Sequence, residues 1–140
     1  MPASLSDFPF AHRQRVRFGE TDMQGVVYYA NYLLYAEVGR VAYLRHIGVD
    51  YRRDLTERGL DFTIAGASVK YLAPLRFDEE FDIRLRLGEL RRSSWSLRYL
   101  VTKADGTVCA EMETVQVLLD GRTGRPTRIP AALAAALRRA

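Results

Sequence analysis

The stretch Val16-Arg17-Phe18-Gly19-Glu20-Thr21-Asp22-Met23-Gln24-Gly25-Val26-Val27-Tyr28-Tyr29-Ala30-Asn31-Tyr32 marks a change of periodicity, and the fold follows from it. Upstream, Phe10, His12, Gln14, Val16 and Phe18 share one parity, and Arg13, Arg15 and Arg17 fill the other. That alternation predicts a strand over Phe10 to Phe18 with one wet face. Gly19 and Gly25 then bound a loop. Downstream the spacing turns helical from about Tyr28 to Ile47. Ala30, Leu33, Leu34, Val41 and Leu44 fall on one side of that helix, no Pro interrupts it, and Gly48 stands where a C-terminal stop belongs.

A shorter helix is expected from Tyr51 to Arg58, ended by Gly59. Four strands follow. Phe62 to Leu72 is the least regular, and Gly66 suggests a bulge within it. Glu80 to Leu87 alternates without error, with Phe81, Ile83, Leu85 and Leu87 inward; Trp95, Leu97, Tyr99 and Val101 repeat the pattern. Asp105-Gly106 is a hairpin signal leading into Val108 to Leu119. In that last strand the phase changes near Val115, which a bulge or burial of both faces would explain. An Ala-rich helix closes the chain from about Ala131. One strand, a long helix and four strands on short turns make an α+β fold, an antiparallel sheet with one helix packed on it. The central helix is apolar over much of its circumference, as a sheet curled around it would require.

The chain has 140 residues, the size of one domain over 1–140, with its core at about 10–120 and the terminal helix at about 131–140. Apolar residues make up 48% of it, which favours a globular fold over extended disorder. No apolar run approaches the roughly 20 residues of a membrane span. The start, MPASLSDFPF, has neither a basic region nor an apolar core, so no signal peptide is expected. One cysteine, Cys109, excludes an intrachain disulfide and points to the cytoplasm. The net charge is +4, and 19 of the 21 basic residues are Arg, which permits an anionic partner. No nucleic-acid motif organises these arginines, so no nucleic-acid partner is expected.

Chemistry can reside in few places. Asp22 lies in the Gly-bounded loop just before the long helix, whose first N–H groups are unpaired. It reads either as a loop or cap residue, or as a carboxylate acting on a carbonyl polarised by those donors. Glu37 is a second candidate carboxylate, set among apolar helix residues with Arg40 three positions on. An ion pair and a base of raised pKa both fit it. Tyr28, Tyr29, Tyr32, Tyr35 and Tyr43 crowd the same helix, as core or as walls of an acyl or aryl pocket. Arg91-Arg92-Ser93-Ser94 lies in the turn between two strands, suited to a phosphate-rich group and equally to an exposed polar turn. Cys109 reads as a small buried hydrophobe, and nothing sets His12 or His46 beside it. No cluster has metal-ligand spacing, and neither a P-loop nor a dinucleotide fingerprint occurs, so no metal and no cofactor is expected.

The quoted stretch resembles the signature of the 4-hydroxybenzoyl-CoA thioesterase family of hotdog-fold acyl-CoA thioesterases. The pattern is an Asp, two residues, Gly, a Val pair, an aromatic, and Asn-Tyr opening the helix. Glu37 and Arg40 fit its helix pattern. Val69-Lys70-Tyr71-Leu72-Ala73-Pro74-Leu75-Arg76-Phe77-Asp78-Glu79 resembles its second landmark, a strand leaving through Pro into an acidic turn. The resemblance runs from about Arg13 to Pro130. It implies a curled antiparallel sheet wrapped around the long helix. It also implies a homodimer with active sites at the subunit interface, and often a homotetramer.

The resemblance also implies roles. Asp22 matches the catalytic carboxylate, as nucleophile or general base. The Tyr29 backbone N–H matches the oxyanion donor, and Gly25 the tight turn joining the two. Arg91, Arg92, Ser93 and Ser94 match the turn that contacts the nucleotide end of CoA. Two positions depart: Tyr29 stands where relatives acting on short acyl chains often carry His, and Ser93 where the 4-hydroxybenzoyl enzyme has Lys. The expected activity is hydrolysis of an acyl-CoA thioester to free acid and CoA. The alternatives are a thioesterase acting on acyl-carrier-protein thioesters, and a non-catalytic module binding acyl-CoA or acyl-carrier protein.

Overall fold

A computed structural model describes residues 4–139. Residues 1–3, where the leader reading begins, and Ala140, the last residue of the expected terminal helix, lie outside the described residues. The elements run β1 (Phe10–Arg15), α1 (Asn31–His46), α2 (Tyr51–Asp54), β2 (Leu60–Tyr71), β3 (Glu80–Leu90), β4 (Ser94–Lys103), β5 (Val108–Asp120) and α3 (Ala131–Arg138). The five strands form one antiparallel sheet in the order β1-β3-β4-β5-β2. The long helix lies against this sheet, as the element order predicted.

The inward parity was read correctly on β3 and β4. Phe81, Ile83 and Leu85 on β3 and Leu97, Tyr99 and Val101 on β4 are all buried, with Ile83 beside Val101 and Leu85 beside Tyr99. The centre of α1 comes closest at Gly39. A Cβ built there would meet Ile83 Cγ2 at 2.5 Å and Leu85 Cδ1 at 2.8 Å. Glycine at this position lets the helix backbone approach β3. The Asp105-Gly106 turn joins β4 to β5, with Gly106 at φ +90°.

Several expectations need correction. β1 stops at Arg15, because Phe18–Glu20 turns into a short 3-10 helix and leaves Phe18 exposed, edge-on to Phe77. α1 begins at Asn31 and not at Tyr28, because the Tyr28 N–H and the Asn31 side chain both donate to the Glu20 carbonyl. Its buried face is Tyr32, Tyr35, Ala36, Gly39 and Tyr43, whereas Leu33, Leu34 and Val41 are 47%, 45% and 42% exposed. The aliphatic side of the helix, Leu44 apart, is therefore its open face, and small and aromatic residues form the packed one. The expected bulge in β2 is real, between Ile64 and Gly66. The phase change at Val115 is not. β5 keeps strict alternation there, with Thr114 and Gln116 buried and polar. They are tolerated because they are hydrogen-bonded. Gln116 Nε2 donates to the Trp95 carbonyl at 3.0 Å, and the Thr114 hydroxyl bonds Gln116 Oε1 and lies 2.6 Å from the Tyr99 hydroxyl.

Candidate active site

The loop ahead of α1 is a small hairpin. The Asp22 N–H donates to the Val26 carbonyl at 2.9 Å, and the Gly25 N–H returns to the Asp22 carbonyl at 3.0 Å. Gly25 sits at φ +77°, a left-handed conformation that favours glycine. Thr21 bridges Val27, Val26 bridges Arg76, and the Val27 N–H donates to the Leu75 carbonyl at 2.8 Å. The hairpin is thus stitched to the segment that follows β2. It delivers the chain to α1 with Val27 buried.

Asp22 itself is half-buried. Its Oδ1 accepts from the Gln24 N–H at 2.8 Å, and among the described residues no cation pairs with it. Among the described residues Oδ2 has no protein partner. The Tyr28 phenol is pushed above its ordinary value by the neighbouring Tyr29 phenol, whose ring centroid lies 4.8 Å away. Slight desolvation and the Asp22 carboxylate add to that rise.

The start of α1 supplies donors. The Asn31, Tyr32 and Leu33 N–H groups close back on the carbonyls of Tyr28, Tyr29 and Ala30. The Tyr29 and Ala30 N–H groups have no acceptor among the described residues. Two adjacent N–H groups at the positive end of the α1 dipole are therefore without a protein acceptor among the described residues. Behind them, Tyr32 and Tyr35 are buried. Burial pushes the Tyr32 phenol up to about 12, with a smaller push from Cys109, and raises Tyr35 further, with its hydrogen bond to Glu20 adding. Both phenols stay neutral at ordinary pH. They serve as core, while Tyr28 and Tyr29 form the exposed aromatic pair.

The other candidates lie elsewhere. Glu37 is exposed on the open face of α1 and makes no ion pair with Arg40. With Arg40, Val41, Leu44 and Phe62 it lines a groove of about 620 Å³ between α1, α2 and β2. The Arg91–Ser94 turn is held by its backbone. The Ile129 and Leu118 N–H groups donate to the Arg92 and Ser93 carbonyls, and the Arg91 side chain pairs with Glu89 at 2.7 Å. Arg92 is exposed. Cys109 is buried and its thiol is pushed up to about 11 by that burial, as suits a packing residue.

The sheet sets the Asp22 loop and the Arg91–Ser94 turn apart, while the Val69–Glu79 segment packs against the loop. The Asp22 loop packs by Tyr71, where β2 ends, whereas the Arg91–Ser94 turn lies by Leu118 at the end of the sheet where β2 begins. β2 has 12 residues, so at about 3.3 Å per residue roughly 36 Å separates its ends. Within one chain these two groups do not meet.

Sequence reasoning missed two residues here. Glu20 anchors the loop: its carbonyl takes Tyr28 and Asn31, and its carboxylate takes the Arg17 N–H at 2.8 Å and the Tyr35 hydroxyl at 2.9 Å. Tyr71 donates its hydroxyl to the Tyr29 carbonyl at 3.0 Å. Both lie inside the quoted motifs, and a carboxylate next to the Gly-bounded Asp was the available signal for the first.

Comparison with known proteins fits this arrangement. Residues 16–137 match the family described as the thioesterase-like superfamily. A crystal structure of an Aquifex aeolicus protein superposes with a TM-score of 0.85 at 34% identity, covering 93% of this chain and 100% of that one. The acyl-CoA thioester hydrolase YbgC of Escherichia coli is 30% identical over 121 residues, 86% of this chain and 90% of that protein. The 1,4-dihydroxy-2-naphthoyl-CoA hydrolase of Thermosynechococcus vestitus is 29% identical over 118 residues, 84% of this chain and 78% of that protein. With its curled sheet around α1 and its match over nearly the whole length, the chain belongs to the thioesterase-like superfamily, a family of thioester hydrolases with the hotdog fold.

Proposed function

We propose that this chain is a cytoplasmic acyl-CoA thioesterase that hydrolyses the thioester to free acid and CoA. The observation that carries the reading is the pairing of Asp22, with one free carboxylate oxygen, and two unpaired N–H groups at Tyr29 and Ala30. A thioester carbonyl set against those donors has its oxygen stabilised as charge develops on it, while the carboxylate faces its carbon. Asp22 then serves either as nucleophile, forming a mixed anhydride that water opens, or as general base for a water. Rapid-quench mass spectrometry separates the two. A transient gain of one acyl mass on Asp22 marks the nucleophile, and its absence at every time point marks the base.

On this reading the working unit is a homodimer with two interface sites, and two dimers form a homotetramer. β2 is an edge strand of 12 residues with no strand on its outer side among the described residues; at its start the Leu60 and Phe62 N–H groups are taken by the Leu55 carbonyl and the Asp61 carboxylate. A second copy paired antiparallel along this edge brings its own Arg91–Ser94 turn to this chain's Asp22. The exposed Arg92 guanidinium, unpaired among the described residues, and the turn's hydroxyls then meet the CoA phosphates.

Mixing variants tests this. Asp22→Asn and an Arg91→Ala/Arg92→Ala double variant are each weak alone. Denatured together and refolded at equal amounts, they should recover about a quarter of wild-type turnover, since half the dimers are mixed and each carries one intact site. No recovery would mean that each site lies within one chain. The substrates are a panel of benzoyl, 4-hydroxybenzoyl, short aliphatic and long aliphatic CoA thioesters, with the matching acyl-carrier-protein thioesters beside them. Turnover of carrier-protein thioesters alone would replace the CoA reading. Saturable binding without thiol release would make the chain a binding module.

A further inference from the structure

We infer that Tyr71 is a positioning residue for the oxyanion donors, acting through the peptide that joins Tyr29 to Ala30. The inference rests on the thioesterase reading above and adds a residue to it.

The geometry is direct. Tyr71, the last residue of the edge strand β2, donates its hydroxyl to the Tyr29 carbonyl oxygen at 3.0 Å. That oxygen and the Ala30 N–H belong to the same peptide group. A planar peptide has its C=O and N–H fixed in opposite directions, so holding one end aims the other. The Tyr29 carbonyl also accepts from the Tyr32 N–H, but at 3.3 Å, the longer of its two bonds. A carbonyl accommodates both donors on its two lone pairs. Of the two, the Tyr71 hydroxyl comes from outside the helix. It can therefore fix the peptide against a neighbouring element.

Polarisation follows the same bond. A donor on a peptide oxygen draws electron density from its nitrogen, so the N–H at the other end becomes a stronger donor. The Tyr29 N–H is served in the same manner by the Asn31 N–H, which donates to the Tyr28 carbonyl at 2.9 Å. Each free N–H of the pair thus has a hydrogen bond behind it, one from the helix and one from Tyr71.

The ring is held for this task. Tyr71 meets Tyr32 edge-on at 5.2 Å between centroids and Tyr29 edge-on at 6.3 Å. Tyr32 is buried, so it forms a fixed wall for the Tyr71 ring. Tyr71 is itself 48% exposed, and slight desolvation, with Tyr29 adding, pushes its phenol above the ordinary value. The hydroxyl therefore keeps its proton over the working range and remains a donor. The other titratable groups near this end of α1 are the Tyr28, Tyr29, Tyr32 and Tyr35 phenols and the Asp22 and Glu20 carboxylates, with the Arg17 guanidinium beyond Glu20.

The link has a structural consequence as well. β2 offers its free edge to a second copy in the reading above, and its last residue holds the donor peptide. Pairing along the edge and alignment of the oxyanion donors then share one residue.

Three forms of position 71 test the inference, each with the CoA thioester that wild type hydrolyses best. Tyr71→Phe keeps the ring contacts and removes the donor. Replacement by 3-fluorotyrosine, assayed at pH 6.5, keeps the hydroxyl and makes it a stronger donor. The expected order of kcat is Phe, then Tyr, then fluorotyrosine, with Phe about ten-fold below wild type and KM within two-fold. A second readout is the infrared stretch of a ¹³C-labelled thioester carbonyl bound to Asp22→Asn protein. It should shift to lower frequency on binding, and the shift should shrink when Tyr71→Phe is added. Melting temperature within a few degrees of wild type completes the supporting result. Equal kcat in all three forms with an unchanged carbonyl shift overturns the inference and leaves the thioesterase reading standing. A raised KM at unchanged kcat also overturns it, because Tyr71 would then only contact the substrate. If wild type hydrolyses no thioester and shifts no bound carbonyl, both readings fall together.

Discussion

The carboxylate of Glu20 accepts a hydrogen bond of 2.9 Å from the Tyr35 hydroxyl, and Tyr35 is 1% exposed. This bond ties the Asp22 loop to the buried face of α1, one turn beyond its start. Its acceptor also holds the Arg17 N–H, and the Glu20 carbonyl holds Tyr28 and Asn31. One residue thereby sets the position of the loop against the start of α1.

Glu20→Ala should leave the Tyr35 hydroxyl buried without an acceptor. The expected loss of stability is roughly 1–3 kcal/mol, measured by urea unfolding. Activity should fall more than stability explains, because the loop loses its anchor. Adding Tyr35→Phe should restore part of the stability, since the orphaned hydroxyl goes with it, and restore little of the activity. Full recovery of activity in the double variant would show that Glu20 matters only to the fold.

Gly39→Ala tests the packing of α1 on β3. Alanine gains about 1 kcal/mol over glycine in a helix interior. Here its Cβ would lie 2.5 Å from Ile83 Cγ2, a branched side chain buried at 0% exposure that has nowhere to go. Overpacking of this kind costs roughly 1–3 kcal/mol, so the net change should be destabilising by up to about 2 kcal/mol. A more stable variant would mean that α1 sits farther from the sheet than described.

Cys109 should behave as core. Burial pushes its thiol up to about 11, so the neutral form prevails in the folded protein at pH 8. The linkage has a definite sign. A folded value raised above the unfolded one gives stability that is present below about 9 and is lost as pH rises toward 11. A chromogenic disulfide reagent at pH 8 should react with no thiol in native protein and with one in guanidinium. Rapid reaction in the native state would contradict this burial.

Much of the fold was legible in the sequence because its strands obey a two-residue period and its turns carry glycine at positive φ, as at Gly48, Gly59 and Gly106. Where the reading failed, chemistry had overridden hydropathy. Leu33, Leu34 and Val41 look like core because they are aliphatic and helically spaced, but the sheet covers the opposite face, through Tyr35, Gly39 and Tyr43. Period alone cannot choose between two apolar faces of one helix. Thr114 and Gln116 looked like a phase break because no one-dimensional pattern anticipates their hydrogen bonds to each other and to the Trp95 carbonyl.

The candidate site divides in the same manner. Asp22, Gly25 and Tyr29 were legible as a motif, and the hairpin brings them into one loop and helix start. Glu20 and Tyr71 act through contacts 15 and 42 positions away in sequence, which local spacing does not reveal. The distance between the Asp22 loop and the Arg91–Ser94 turn became visible only once strand order placed them at opposite ends of β2.

The central claim is that Asp22 does the chemistry, and one assay addresses it directly. Free-thiol release from the CoA panel is followed for wild type and for Asp22→Asn, which keeps the shape and removes the charge. The account predicts turnover by wild type on at least one class and a fall in kcat of about 100-fold or more in the variant, with KM little changed. Equal kcat in the two proteins would contradict it and move the search to Glu37 in the groove beside Arg40.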